Sequence, residues 1–396
     1  MNEKILSRDF VFAWLSAFFD ASVFYLLVTT MALYTTERFN ASASISGLTS
    51  SIYIIGALVG RLFTGRFMDV VGRRRLILCS FLIYFISTVG YLFAGNMGIL
   101  LGIRCVHGIT FGISSTGVMT VAMTILPDSR KGEGAGYFGI APTLSTAIGP
   151  FLGTFLLSRY SYRMVFVACI VCAALCLLFT CLIRIRPVQL SPEERRERTT
   201  HLLNPKNYFE AKAMPVAFCL LLVAVCYSSV LSFVTSFAWS IGLGAASSLF
   251  FLVYAAFLVF GRPVSGRLLD RRGSNVVMFP TLSCMVIGML LLASTRSWPT
   301  LLISAAFFAM GYGATLSTTQ AIAVKLSPIT HYAMAVSTVY VCADVGSGLG
   351  PVFMGALIER GGYRFVYHLC AGIAVVVIVL YYFLHGRHPL KGSLQK

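Results

Sequence analysis

Four ionisable residues lie where an ion is hardest to keep. Asp20, Arg104, His107 and Asp344 each sit inside a long apolar run, and of the 14 acidic residues only Asp20 and Asp344 fall well inside one. A charge at the centre of a bilayer costs about 2.5–3.5 kcal/mol on insertion scales, so each is a functional candidate. The chemistry open to such a carboxylate is proton exchange. Desolvation disfavours its ionised form and a nearby arginine favours it, so a group balanced between the two takes up a proton on one side and releases it on the other. A buried ion pair, for instance Asp20 with Arg104, is the structural alternative. His107 lies three residues after Arg104 and, as a group that titrates near neutral pH, fits either a relay with Asp20 and Arg104 or a neutral hydrogen-bonding role.

Other chemistries find no support. No phosphate loop of the G-x-x-x-x-G-K-[ST] form, nucleophile elbow or H-E-x-x-H zinc motif occurs, so neither an ATP motor nor an enzyme is expected. Cys169, Cys172, Cys176 and Cys181 lie in an apolar run with no carboxylate or histidine beside them, and read as small helix residues rather than metal ligands. No metal or cofactor is expected.

The elements that carry these residues follow from composition. The chain has 396 residues, 57% hydrophobic and 11% charged, where a soluble domain carries about 25% charged residues. Twelve apolar stretches are long enough to cross a bilayer: about 9–34, 45–65, 75–95, 97–126, 133–158, 162–184, 214–240, 244–266, 275–295, 298–325, 331–358 and 363–385. They do not alternate in polarity as barrel strands do, so they are predicted as helices. The first run is too long for a signal-peptide core, and no cleaved segment is expected. Residues 185–213 are polar and form a linker with bases Arg195, Arg196, Arg198, Lys206 and Lys212 and acids Glu193, Glu194, Glu197 and Glu210.

The formal net charge of +17 arises from 14 acids against 31 bases. The bases cluster in alternate loops. Only Arg38, Arg159, Arg163, Arg296, Arg360 and Arg364 fall on the other side. The positive-inside rule then places both termini in the cytoplasm of a multi-pass protein, and it accounts for the charge without nucleic acid. Compactness and short loops suggest a bacterial inner membrane.

An offset of 201 relates the two halves. Gly60-Arg61 maps to Gly261-Arg262, Gly65, Arg66, Asp69 and Gly72 to Gly266, Arg267, Asp270 and Gly273, and Gly149-Pro150 to Gly350-Pro351. The chain is therefore expected to comprise two copies of a six-helix unit, 1–184 and 214–396, in an all-α, pseudo-symmetric membrane fold. Such duplications place a solute site near the midplane between the copies. The intramembrane charges do not obey the offset: Asp20, Asp344 and Arg104 map to Leu221, Thr143 and Ala305. Symmetric charges are expected to serve architecture and asymmetric ones transport.

The loop after the second span reads Gly65-Arg66-Phe67-Met68-Asp69-Val70-Val71-Gly72-Arg73-Arg74-Arg75, and its shorter copy Gly266-Arg267-Leu268-Leu269-Asp270-Arg271-Arg272-Gly273. This resembles the G-x-x-x-D-x-x-G-[RK]-[RK] signature of the major facilitator superfamily, and with twelve spans and the repeat the resemblance covers nearly the whole chain. It implies a cytoplasmic gate held by Gly65, Asp69, Gly72, Arg73, Arg74 and Asp270. Ser145 to Gly153, with Gly149, Pro150 and Gly153, resembles the fifth-helix motif of the superfamily's proton-driven drug exporters. Ser145 stands for its first glycine, and Gly350-Pro351 is the second copy. These residues are expected to pack helices closely and kink them. Arg104-Cys105-Val106-His107-Gly108 is similar to the exporters' R-x-x-Q-G, with His107 in place of glutamine. Glu133, opening the fifth span, reads as a helix-dipole partner.

The resemblance further implies a cavity lined by Phe24 and Phe111 and, from the second half, by Tyr227, Phe233, Thr315, Thr319 and Gln320. Tyr340 lies one turn before Asp344. Aromatic walls with one or two acids suit amphipathic or cationic compounds. The expected function is a proton-coupled exporter of drugs or metabolites, driven by the proton gradient, with lipid, protons and a small solute as partners and the monomer as the working unit. The alternatives are a proton-linked uptake symporter for a sugar or organic acid, and a receptor or scaffold that moves nothing.

Overall fold

Backbone amides in hydrocarbon have no water to bond, so apolar stretches of this length close their hydrogen bonds within themselves. The computed structural model describes residues 5–200, 204–244 and 247–395. Its helices in chain order are α1 (Arg8–Phe39), α2 (Ala43–Val71), α3 (Arg73–Gly90), α4 (Met97–Ile125), α5 (Lys131–Arg159), α6 (Tyr162–Leu182), α7 (Pro192–Thr199), α8 (Met214–Ser240), α9 (Ser247–Arg272), α10 (Asn275–Ala293), α11 (Trp298–Phe308), α12 (Thr315–Leu326) and α13 (Tyr332–Tyr381). Polar caps mark several starts. Ser7 accepts from the Phe10 amide at 3.2 Å and Asn96 from the Ile99 amide at 2.9 Å, each satisfying one orphan donor of a first turn.

Eleven helical stretches among the described residues are long and apolar enough to cross a membrane, and the last, Ile329–Gly386, holds two crossings. It breaks at Gly362, whose φ of 78° and ψ of 172° lie outside the helical region. Glycine alone adopts such a φ cheaply. Twelve spans result, the last two meeting where the sequence separates 331–358 from 363–385. The tenth span departs from a plain helix. Between α11 and α12 the residues Ala309–Ala314 form a π-helical segment, which widens one turn.

The outward faces are apolar. Phe93, Phe151, Phe260 and Val352 are 77%, 72%, 75% and 69% exposed. In water such a surface would associate; in a bilayer it is the solvated face.

The helices pack into two compact units. The first comprises Met1–Leu126, Ala141–Phe209 and Pro328–Ser337; the second comprises Pro127–Ile140, Glu210–Ser327 and Thr338–Lys396. The first turns of α5 thus pack with the second unit, and the first turns of α13 with the first.

In the first unit α2 and α4 meet backbone to backbone. A β-carbon on Gly56 would stand 2.6 Å from the Cys105 carbonyl oxygen, and on Gly60, Gly108 or Gly112 it would overlap the carbonyls of Ile109, Tyr53 and Ala57. This approach carries Arg104, His107 and Ser114 of α4 into the core. On the other side, a β-carbon at Gly149 of α5 would stand 2.6 Å from Tyr25 Cβ of α1, and one at Gly153 would stand 3.1 Å from Thr30 Cγ2. In the second unit Gly350 of α13 lies against Ser228 of α8. Pro150 and Pro351 sit inside α5 and α13.

Candidate functional site

Asp20 lies mid-α1 and is 2% exposed. Ser114 Oγ of α4 stands 3.5 and 3.4 Å from its two carboxylate oxygens. The Tyr84 hydroxyl of α3 donates to the Asp20 backbone carbonyl at 3.3 Å. Among the described residues no ion pair forms at this carboxylate. The Asp20–Arg104 pair considered from the sequence is not made, because Arg104 is engaged elsewhere.

Arg104 is 1% exposed. Its Nε donates to the Thr49 carbonyl at 3.0 Å, its Nη1 reaches the Tyr91 hydroxyl at 3.5 Å, and its guanidinium lies 4.3 Å from the Tyr53 ring centroid. His107 has both ring nitrogens occupied: Nδ1 lies 2.8 Å from the Tyr91 hydroxyl and Nε2 lies 3.2 Å from Thr88 Oγ1. Thr88 donates its one hydrogen to the Tyr84 carbonyl at 2.8 Å. It must therefore accept from Nε2–H, which leaves Nδ1 to accept from Tyr91. Bonds thus run from Arg104 through Tyr91, His107 and Thr88 to Tyr84, which holds the Asp20 backbone.

This arrangement makes His107 a structural tie with a measurable worth. His107→Ala leaves the buried Tyr91 hydroxyl with only its 3.5 Å Arg104 contact and is expected to cost roughly 1–3 kcal/mol. His107→Gln, whose amide offers one donor and one acceptor, should cost less than half as much. Thermal unfolding of the purified protein measures both.

Around Asp20 the surface is aromatic. Phe24, one turn on, stacks on Phe111 with centroids 5.4 Å apart and approaches Tyr53 at 5.5 Å. Arg61 lies 5.8 Å over the Phe111 ring. The second unit has its own cluster, in which Tyr227 stacks on Tyr312 at 3.7 Å and lies 5.8 Å from Phe308. Tyr227 is among the residues expected from the sequence; Tyr53, Tyr254 and Tyr312 are not. Tyr312 was within reach, since the 201 offset maps Phe111 to it, whereas the counterpart of Tyr254, Tyr53, is itself absent from the expected set. The π-helical segment presents Tyr312.

The remaining expected cavity residues spread over the second unit. Thr315 is fully buried and donates to Thr281 Oγ1 at 3.1 Å, so it ties α12 to α10. Thr319 and Gln320 are buried, whereas Phe233 and Tyr340 are half-buried. Asp344 is half-buried on α13, in the second unit, whereas Asp20, Arg104 and His107 belong to the first.

The two signature loops organise one end of each unit. Gly72 (φ 100°) and Gly273 (φ 87°) turn the chain out of α2 and α9. In the first unit Asp69 pairs with Arg73 at 2.5 Å, and Arg73 donates to the Ile329 carbonyl at 3.0 Å. Gly65 leaves room for Ser337 of α13, which donates to the Arg61 carbonyl at 2.7 Å. Arg74 is exposed. In the second unit Asp270 accepts from the Gly132 and Glu133 amides at 2.9 and 2.7 Å and pairs with Lys325. It thereby caps the positive end of α5. Glu133 pairs with Arg267 at 2.7 Å and Arg130 at 2.8 Å.

Comparison with known proteins bears on the fold and the class of activity. Residues 13–296 and 275–396 match the Major Facilitator Superfamily. The chain is 22% identical to an uncharacterized MFS-type transporter of Methanocaldococcus jannaschii, over 95% of this chain and 98% of that one. It is 24% identical to the multidrug resistance protein MdtG of Klebsiella pneumoniae, over 98% and 96%. The human organic anion transporter MFSD10 superposes with a TM-score of 0.76 at 15% identity, covering 94% of this chain and 98% of that one, a likeness of fold. The family's members move solutes, are not enzymes and generally need no cofactor. With the family match across the chain, twelve spans, a duplicated six-helix plan and two copies of the signature loop, this chain is a multi-pass membrane transporter and belongs to the Major Facilitator Superfamily.

Proposed function

We propose that this transporter exports small amphipathic compounds in exchange for protons, by alternating access, with the halves 1–184 and 214–396 as its moving bodies and the monomer as its working unit. The observation that carries the reading is Asp20: a carboxylate 2% exposed, 3.4 Å from a serine hydroxyl that also lies 3.1 Å from the Phe111 carbonyl, with no ion pair among the described residues. A group so placed exchanges a proton rather than anchoring a structure. The aromatic clusters at Phe24–Tyr53–Phe111 and Tyr227–Tyr254–Tyr312 offer flat apolar faces whose π-systems also favour cations. The likeness to MdtG over nearly the whole chain supports the export direction. The excess of bases in alternate loops supports a cytoplasmic Asp69 loop, linker and termini.

The test is solute movement in proteoliposomes under an imposed pH gradient, with ethidium, xylose and lactate as probes. Ethidium is expected to move against the proton flow, and Asp20→Asn to stop it. Movement of xylose or lactate together with protons would identify an uptake symporter instead.

A further inference from the structure

In the sequence the segment 185–213 is a polar linker that carries both bases and acids. Its short helix α7 is firmly started. Ser191 Oγ accepts from the Glu194 amide at 3.1 Å, and the Glu194 carboxylate accepts from the Ser191 amide at 2.8 Å. That backbone bond, before any other cause, holds the Glu194 carboxyl below the usual range. The last turn of α7 carries Arg198, which is 5% exposed.

Arg198 faces the signature loop. Its Nη1 lies 3.5 Å from Asp69 Oδ2, and its Nη2 donates to the Thr330 carbonyl at 2.5 Å. Asp69 already holds Arg73, which donates to the neighbouring Ile329 carbonyl. Two guanidiniums therefore share one carboxylate, and each also grips one carbonyl of the turn that opens α13. The linker backbone is fixed separately. Arg66, fully buried, donates to the carbonyls of Arg198 at 2.8 Å and Thr200 at 2.5 Å, and its guanidinium lies 4.6 Å over the Tyr208 ring.

We propose that Arg198 is a latch on the gate: a positioning residue that ties the linker, Asp69 and the start of α13 together and is released when the gate opens. Charge neutralisation does not require it, since Arg73 already pairs with Asp69. What Arg198 adds is the Thr330 carbonyl. The arrangement also suits release. Among the described residues Arg198 Nη1 is buried and makes no hydrogen bond, although it stands within ion-pair distance of Asp69. A donor left so is tolerable only while the other contacts hold, and it favours departure once one is lost. In the second unit Asp270 instead takes the α5 amides and Lys325. The device is one-sided, so the linker biases one gate.

Hydrogen-exchange mass spectrometry on the full chain in nanodiscs tests this without any solute, and so independently of the exporter reading. In Arg198→Ala the amides of 329–337 are expected to exchange roughly tenfold faster. Those of 195–200 should keep the parent rate, because Arg66 still holds their carbonyls. Arg198→Lys, which keeps the charge beside Asp69 and a donor for Thr330, should restore most of the protection. Arg66→Ala should release both segments. The proposal is overturned if 329–337 exchanges in Arg198→Ala as in the parent. It is equally overturned if 195–200 loosens as much as 329–337, or if Arg198→Lys behaves like Arg198→Ala.

Discussion

Asp20→Asn is expected to abolish solute movement driven by a pH gradient while leaving solute exchange at equal pH within about threefold of the parent. The substitution is nearly isosteric. The amide oxygen still faces Ser114, and the backbone carbonyl still accepts from Tyr84, 3.3 Å away in the parent. What is lost is the ability to bind and release a proton. A structural carboxylate would behave differently. Were Asp20 the anion of an ion pair, removing its charge would strand a buried cation and destabilise the fold by about 3–5 kcal/mol. Arg104 is instead held by Thr49, Tyr91 and Tyr53, so Asp20→Asn should leave its environment intact. Gradient-driven transport and thermal unfolding on one preparation separate the two outcomes: transport at background with an unchanged melting temperature is expected.

The second large effect concerns helix packing. Gly112→Val should lower the melting temperature by roughly 3–5 °C. The valine β-carbon would overlap the Ala57 carbonyl and crowd its Cα. No side chain can turn away to make room, so α2 and α4 must separate, and overpacking of this kind costs about 3 kcal/mol. Separation would also carry Ser114 away from Asp20. Gly102 of the same helix is the control. Nothing lies within 4 Å of a β-carbon there, so Gly102→Val should change the melting temperature by roughly 1–2 °C at most.

Much of this arrangement is legible in the sequence, and the reasons differ by feature. The twelve spans are readable because a membrane allows one solution for a long apolar segment. The break at Gly362 falls in the four-residue gap between the last two apolar runs. The π-helical segment at Ala309–Ala314 is not readable, because inserting one residue into a turn leaves the apolar run unchanged. Asp20 and Arg104 stand out because charges in apolar runs are costly. Their partners do not, because serine and tyrosine at membrane depth are ordinary. Spacing still offered a route. Arg104, His107, Phe111 and Ser114 recur at steps of three and four along α4, as do Tyr84, Thr88 and Tyr91 facing them, which is the mark of one helical face. Arg198 was out of reach, since a base in a polar linker looks the same whether it is solvated or buried. Tyr312 needed only the 201 offset applied to Phe111.

The most direct test of the central claim follows protons rather than solute. Proteoliposomes holding a pH-sensitive dye and loaded with ethidium are diluted into dye-free medium, so that the solute gradient alone drives the carrier. Exchange through Asp20 predicts that the lumen acidifies as ethidium leaves, at a rate that falls to the protein-free leak in Asp20→Asn. A lumen that turns alkaline, or acidification that persists in Asp20→Asn, would contradict it.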